Sequence, residues 1–108
     1  MGFLLKEQKN TNGIIIENLY HDSKSLAKTS YNYDTNQLTA TFQKGSVYRY
    51  HNVPVSTYEE FKSAPSAGSY FQKNIARGFT YKDLGDVTPT FVAEELASKL
   101  PKVDVDEN

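Results

Sequence analysis

Apolar and polar residues alternate most regularly in residues 37–42, where Leu38, Ala40 and Phe42 share one side and Thr39 and Thr41 the other. A period of two marks a half-buried antiparallel strand. A strand over residues 26–33 precedes it across the turn residues Asp34-Thr35-Asn36. Another over residues 47–51 follows Lys44-Gly45-Ser46, with Tyr48 and Tyr50 alternating against Val47, Arg49 and His51. Upstream, Phe3-Leu4-Leu5 and Ile14-Ile15-Ile16 flank Lys9-Asn10-Thr11-Asn12-Gly13, and Asn-Gly is a turn signal. Residues 3–20 therefore read either as a hairpin or as an arm that orders on a partner. Residues 21–25 read as a polar connector.

Downstream the period changes. Asn52-Val53-Pro54 closes the sheet, and Ser56-Thr57-Tyr58-Glu59 has the form of a capping box. A helix is predicted from there to about residue 63, with Pro65 as its stop. Ser66-Ala67-Gly68-Ser69 opens a second helix over about residues 69–76, with Phe71 and Ile75 facing the core and Gly78 as its cap. Phe79-Thr80-Tyr81 reads as a short edge strand and residues 82–87 as a polar linker. Thr88-Pro89 starts a third helix, in which Val92, Leu96 and Leu100, with Ala93 and Ala97, form one apolar stripe. Pro101 ends it, and residues 103–108 form an acidic tail. The chain shows no internal repeat. These elements predict an α+β fold: a three-stranded antiparallel meander with two helices packed on one face. The expected organisation is an arm or hairpin (1–23), a central domain (24–82), and a linker, helix and tail (83–108).

Composition narrows the chemistry. The 108 residues contain no cysteine, which excludes disulfides, thiolate metal sites and cysteine nucleophiles. With His21 and His51 as the only histidines, no metal site and no cofactor are expected. No apolar run approaches the ~20 residues of a membrane span, and Lys6 stands where a myristoylation signal needs Ser or Thr. A cytoplasmic location is the expectation. The net charge of −1 conceals an asymmetry. Residues 24–82 carry eight basic against three acidic residues, a net of +5, while residues 83–108 carry a net of −5. Clustered, such basic residues bind polyanions; scattered, they are an ordinary solvated surface, and charge alone favours the latter.

Further residues carry a likeness to a known family. They are Ser25-Leu26, Tyr33-Asp34, Leu38-Thr39-Ala40-Thr41-Phe42, Gly45, Val47-Tyr48-Arg49-Tyr50, Val53-Pro54, Tyr58, Ala64, Ser66-Ala67-Gly68-Ser69-Tyr70-Phe71 and Ile75. In order and spacing this set resembles the KTSC domain, named from the C-terminus of some lysyl-tRNA synthetases and also found as stand-alone proteins of bacteria and phages. The likeness covers about residues 24–81. Gln72 departs from it, where the family more often has Asn, and both extensions lie outside it. The resemblance implies a small non-catalytic domain, with nucleic-acid binding implied by attachment to synthetases.

Two sets of residues are candidates for contact with other molecules. In the second helix, Tyr70, Lys73, Asn74 and Arg77 share one face. Its first turn offers Ser66, Gly68 and Ser69 to an anion through free backbone N–H groups and hydroxyls. Arg49, on the sheet face opposite the helices with Lys28, Ser30, Thr39, Thr41 and His51, is a further candidate ligand contact. The plainer reading is that Ser66 caps the helix, Gly68 permits packing and the basic residues are solvated. Ile14, Ile16, Val92, Leu96 and Leu100 must bury against the chain's own domain, a second copy or another protein. No enzymatic constellation stands out. Ser46, His51 and Asp34 lack a nucleophile elbow, Glu59 and Glu60 are adjacent on a helix and point apart, and no Walker or dinucleotide motif is present. Asp104, Asp106 and Asn108 lack the glycine and glutamate of a calcium loop. The expected function is a non-enzymatic binding domain for nucleic acid or a phosphate-bearing ligand. The alternative is a protein-interaction or structural accessory, phage-encoded and acting on a host or phage partner through its apolar extensions.

Overall fold

A computed structural model of the chain describes residues 3–88 and 90–99. Its sheet is an antiparallel meander of six strands laid out in chain order. They are β1 (Phe3–Thr11), β2 (Ile14–His21), β3 (Leu26–Asn32), β4 (Gln37–Phe42), β5 (Ser46–Tyr50) and β6 (Tyr81–Asp86). Helix α1 (Val55–Ser63) and helix α2 (Ala67–Tyr70), which continues into a π-helical turn at Phe71–Ile75, follow β5; α3 (Phe91–Lys99) follows β6. Among the described residues, no helix is long and apolar enough to cross a membrane.

The α+β class agrees with the sequence, but a three-stranded meander understates the sheet. Residues 3–20 do form a hairpin. Asn12 and Gly13 adopt φ values of 54° and 86°, the backbone twist that matches a two-residue hairpin turn. The hairpin is continuous with the meander, because β2 pairs with β3 from Ile16–Asn32 to Tyr20–Lys28. At the other end, β6 occupies most of the expected linker. Every β6 residue is exposed, and its backbone pairs with β5 from Ser46–Asp86 to Tyr50–Tyr81. A polar edge strand of this kind has no apolar alternation to reveal it.

The helix starts also differ from the expectation. Pro54 precedes the first turn of α1 without a side-chain cap, so Ser56 lies inside the helix and Glu59 pairs with Lys62 at 3.4 Å instead of closing a capping box. α2 begins at Ala67, where the Ser66 hydroxyl accepts from the Ser69 backbone N–H at 3.3 Å. The Ala76 N–H reaches back to the Phe71 carbonyl, the five-residue step of a π turn. Gly78 closes the segment by donating to the Ile75 carbonyl at 3.2 Å.

One core lies between the sheet and these helices: Leu19, Leu26, Tyr31, Leu38, Ala40 and Tyr50 meet Val53, Tyr58, Phe61, Ala67, Phe71 and Ile75. Burying each large side chain contributes roughly 1.5–3 kcal/mol. A smaller cluster forms on the opposite face, where α3 sets Val92 against Tyr20 and Ala27, with Leu5 and Leu96 beside them. Lys28–Glu95 (3.1 Å) and Lys99–Glu7 (3.0 Å) flank it. The apolar stripe of α3 thus packs on the chain's own sheet at Val92 and Leu96; Leu100, Pro89 and the tail at 101–108 lie outside the described residues.

Glu17 of β2 is fully buried in the helix-side layer. Its carboxylate accepts from the Tyr58 hydroxyl (2.6 Å) and Lys62 Nζ (2.9 Å) of α1 and from Gln8 Nε2 (2.8 Å) of β1. Burial by itself raises a carboxyl's pKa, but the hydrogen bonds from Tyr58, Lys62 and Gln8 outweigh it and hold Glu17 below the ordinary value of 4.5. A depressed pKa adds stability that is complete above the unfolded value and is lost as pH falls through the folded one. Glu17→Ala should lower the urea-unfolding free energy at neutral pH by about 3 kcal/mol, because it leaves Lys62 without its buried partner. Glu17→Gln should flatten the loss of stability below about pH 4.5 relative to the unsubstituted chain.

Candidate functional site

The helical layer stops short of one end of the sheet. Phe42 of β4, Tyr48 and Tyr50 of β5 and Tyr81 of β6 lie on the helix-facing side in one run of edge and tilted contacts. Ring centroids are 5.9 Å apart for Phe42–Tyr48, 5.3 Å for Tyr48–Tyr81 and 5.5 Å for Tyr50–Tyr81. Phe71 packs edge-on against Phe42 and Tyr50 and marks where coverage ends. Beyond it, Gln72, Ala76 and the aromatic run border an open groove of about 520 Å³ that Lys24, Ser25, Gln43 and Lys44 complete. Tyr50 is buried at its base, Phe42 and Tyr48 are half-buried, and Tyr81 is 56% exposed at its edge.

The loops carrying the two lysines are fastened to one another. Gln43 donates twice to the β2–β3 link: its backbone N–H to the Ser25 carbonyl (2.8 Å) and Nε2 to the Ser23 carbonyl (3.0 Å). Gly45 turns the chain after Lys44 with φ +108°, and a Cβ there would lie 2.4 Å from the Val87 carbonyl oxygen. Val87 in turn donates its N–H to the Gly45 carbonyl at 2.8 Å, tying the turn to the end of β6. Lys24, Lys44 and Tyr81 are therefore presented from a cross-linked set of backbones.

The residues predicted from sequence are distributed differently. Ser66, Gly68 and Ser69 line a neighbouring cavity of about 350 Å³ with Asp22, Ser23, Lys24, Ser25, Pro65 and Ala67. The space that Gly68 leaves open is filled by this chain: a Cβ there would lie 2.6 Å from Ser25 Oγ and 3.1 Å from Ser23 Oγ. Tyr70 donates its hydroxyl to Glu60 at 2.8 Å, and the Asn74 amide donates to the Tyr70 carbonyl. Lys73 and Arg77 are exposed and border neither cavity. The π turn alters the four-residue spacing on which their shared face was reckoned. Arg49 alternates to the opposite sheet face, where its Nε donates to Thr39 Oγ1 at 3.2 Å. On that face Lys28 is paired with Glu95, so the basic character anticipated there is reduced. Ile14 and Ile16 line a third cavity of about 520 Å³ with Lys9, Thr11, Asn12, Asn18 and Asn32.

Several groove residues carry no ligand-binding signal in the sequence. Lys24 is one of several scattered basic residues, Lys44 belongs to a turn, Gln72 stands out only as a departure from the family pattern, Gln43 matches no motif, and Tyr81 lies in a short segment. For enzymatic constellations, Ser46 opens β5 and His51 follows its last residue, about 16 Å away at ~3.3 Å per residue. Glu59 is engaged by Lys62 and Tyr33, and Glu60 by Tyr70. Among the described residues no three His, Asp or Glu side chains gather as a metal site.

Comparison with known proteins places these elements in context. The family model described as the KTSC domain matches residues 22–79. The chain is 39% identical over 83 residues to a lysine–tRNA ligase of Trichormus variabilis and 37% identical over 82 residues to one of Nostoc punctiforme. Each match covers 75% of this chain, which spans only 15% of the length of either relative. Among solved structures, a KTSC domain protein from Yersinia pestis matches with a TM-score of 0.56 at 22% identity, over 75% of this chain and 100% of that one. The likeness in structure shows a common fold.

Gly45→Ala tests how the groove is held. The left-handed backbone and the Val87 carbonyl both oppose a side chain at this position. The substitution should cost about 1–3 kcal/mol in denaturant unfolding, and hydrogen exchange should rise at Val87 and along β6 before it rises in β3 or β4.

Proposed function

The chain belongs to the KTSC domain family, and on that basis we propose that it is a small non-enzymatic binding domain for nucleic acid or another phosphate-bearing ligand, with the groove at β4–β6 as its site. The observation that carries this reading is the pairing of an uncovered aromatic floor with Lys24 and Lys44 at its rim. Neither lysine forms an ion pair among the described residues, whereas Lys28, Lys62 and Lys99 each do. The cations free to meet an outside anion thus include two at the groove. Its volume of about 520 Å³ falls within the roughly 300–1,000 Å³ usual for ligand sites. The relatives of known name are tRNA ligases, proteins that handle a phosphate polymer, which accords with such a ligand.

A second reading follows from the hairpin. Leu4 and Ile14 remain 52% and 41% exposed, and Ile14 and Ile16 line a cavity away from the groove. An interaction protein would use this surface, since Val92 and Leu96 are already engaged with β1–β3. In that case sedimentation should show a concentration-dependent dimer that Ile14→Lys abolishes; a monomer throughout would remove this reading.

The primary proposal is tested by a salt titration of labelled tRNA and single-stranded DNA followed by fluorescence anisotropy. Two lysine–phosphate contacts give a slope of log K against log salt of about −1.4 on a single strand. Lys24→Ala with Lys44→Ala should bring the slope close to zero and weaken binding, and Lys73→Ala with Arg77→Ala should do neither. Absence of binding, or binding that the Lys24/Lys44 pair leaves unchanged, would overturn the proposal.

A further inference from the structure

We infer that the ligand of the groove is a single-stranded nucleic acid, held by stacking of an unpaired base on Tyr81 while Lys24 and Lys44 contact its phosphates. The inference rests on the binding reading above and narrows it to one class of polymer. Tyr81 stands almost perpendicular to Tyr48, at 88°, and is tilted by 39° from Tyr50. It is supported along its edge yet 56% exposed, so its ring presents open surface to an incoming planar group. Stacking on an aromatic ring is available to every base once it is freed from its own neighbours. In a duplex the bases are stacked on one another and the outer surface is phosphate. Such a surface meets the lysines at the rim but leaves the aromatic floor unused.

The rim also carries the groups that accompany an unpaired base. Gln72 is exposed at the groove and its amide makes no hydrogen bond among the described residues, so it offers both a donor and an acceptor to a base edge. Gln43 is different: its amide is spent on the Ser23 and Leu26 carbonyls and serves to hold the Lys24 loop. Lys24 and Lys44 come from two loops on the same side of the floor, joined by that link. A backbone with phosphates on one side and bases directed inward matches this division.

The test compares a labelled single strand of about 12 nucleotides, as DNA and as RNA, with the blunt duplex of the same sequence and with inorganic phosphate as competitor. The single strand should bind at least tenfold more tightly than the duplex. Tyr81→Leu should weaken single-strand binding roughly tenfold, and Tyr81→Phe should restore it; circular dichroism should show both variants folded, with the unfolding midpoint of Tyr81→Leu lowered by no more than the loss of its two ring contacts. Equal binding of strand and duplex, insensitivity to Tyr81→Leu, or full displacement by millimolar phosphate would overturn this inference, while continued dependence on Lys24 and Lys44 would leave the broader binding proposal standing. Failure of every nucleic acid to bind removes both.

Discussion

A buried carboxylate fixes where the helical layer sits on the sheet. Glu17 has no solvent to share its charge with, so its position is tolerable only where Tyr58, Lys62 and Gln8 all reach it. Two of those donors lie on α1, which is thereby held over β2 and β3. Tyr31 and Tyr58 stack at 4.1 Å in the same region. Six strands at ~4.8 Å spacing span about 24 Å, and a helix with its side chains covers roughly 10–12 Å. Anchored toward β2, the layer of α1 and the short α2–π segment reaches β5 through the Phe71–Tyr50 contact and leaves β6 exposed. The helix on the other face is likewise committed to β1–β3, through Val92 and two ion pairs. The β5–β6 end is left with an aromatic surface that no helix caps.

How much of this could be read from residues alone depends on what each strand faces. The strands β3, β4 and β5 were legible because one face is buried and the other polar, which imposes the period of two. β2 was legible as part of a hairpin but not as an inner strand. It runs Ile-Ile-Ile-Glu-Asn-Leu-Tyr-His and is buried at five consecutive positions, because α1 covers one face and α3 the other. Burial on both sides erases alternation. Nothing near Glu17 in the sequence marks it as buried, because its partners come from positions nine and more than forty residues away. β6 failed in the opposite way, being a strand with no buried residue at all.

The candidate site was legible in its parts and not in its assembly. The inward direction of Phe42, Tyr48 and Tyr50 followed from strand parity. What parity does not give is the extent of the layer above them, which comes from the side-chain contacts of a distant helix. At the start of α2, by contrast, a Ser-x-Gly-Ser sequence has the form of an anion cradle. There the chain satisfies its own groups: Ser66 caps Ser69, and the hydroxyls of Ser23 and Ser25 fill the space beside Gly68. The same glycine and serines therefore position the Lys24 loop, and a motif sought for ligand contact contributes to the groove from behind.

The proposed binding function depends on one surface, the uncovered aromatic end of the sheet with its two lysines. Its most direct test is a map of backbone and side-chain chemical-shift changes as an unlabelled single strand is titrated into isotopically labelled protein. The changes should concentrate at Lys24, Lys44, Tyr48, Gln72 and Tyr81, with the Glu17–Tyr58–Lys62 region unmoved. Changes centred instead on Arg49 and Thr39, on Lys73 and Arg77, or on the β1–β2 hairpin would contradict it.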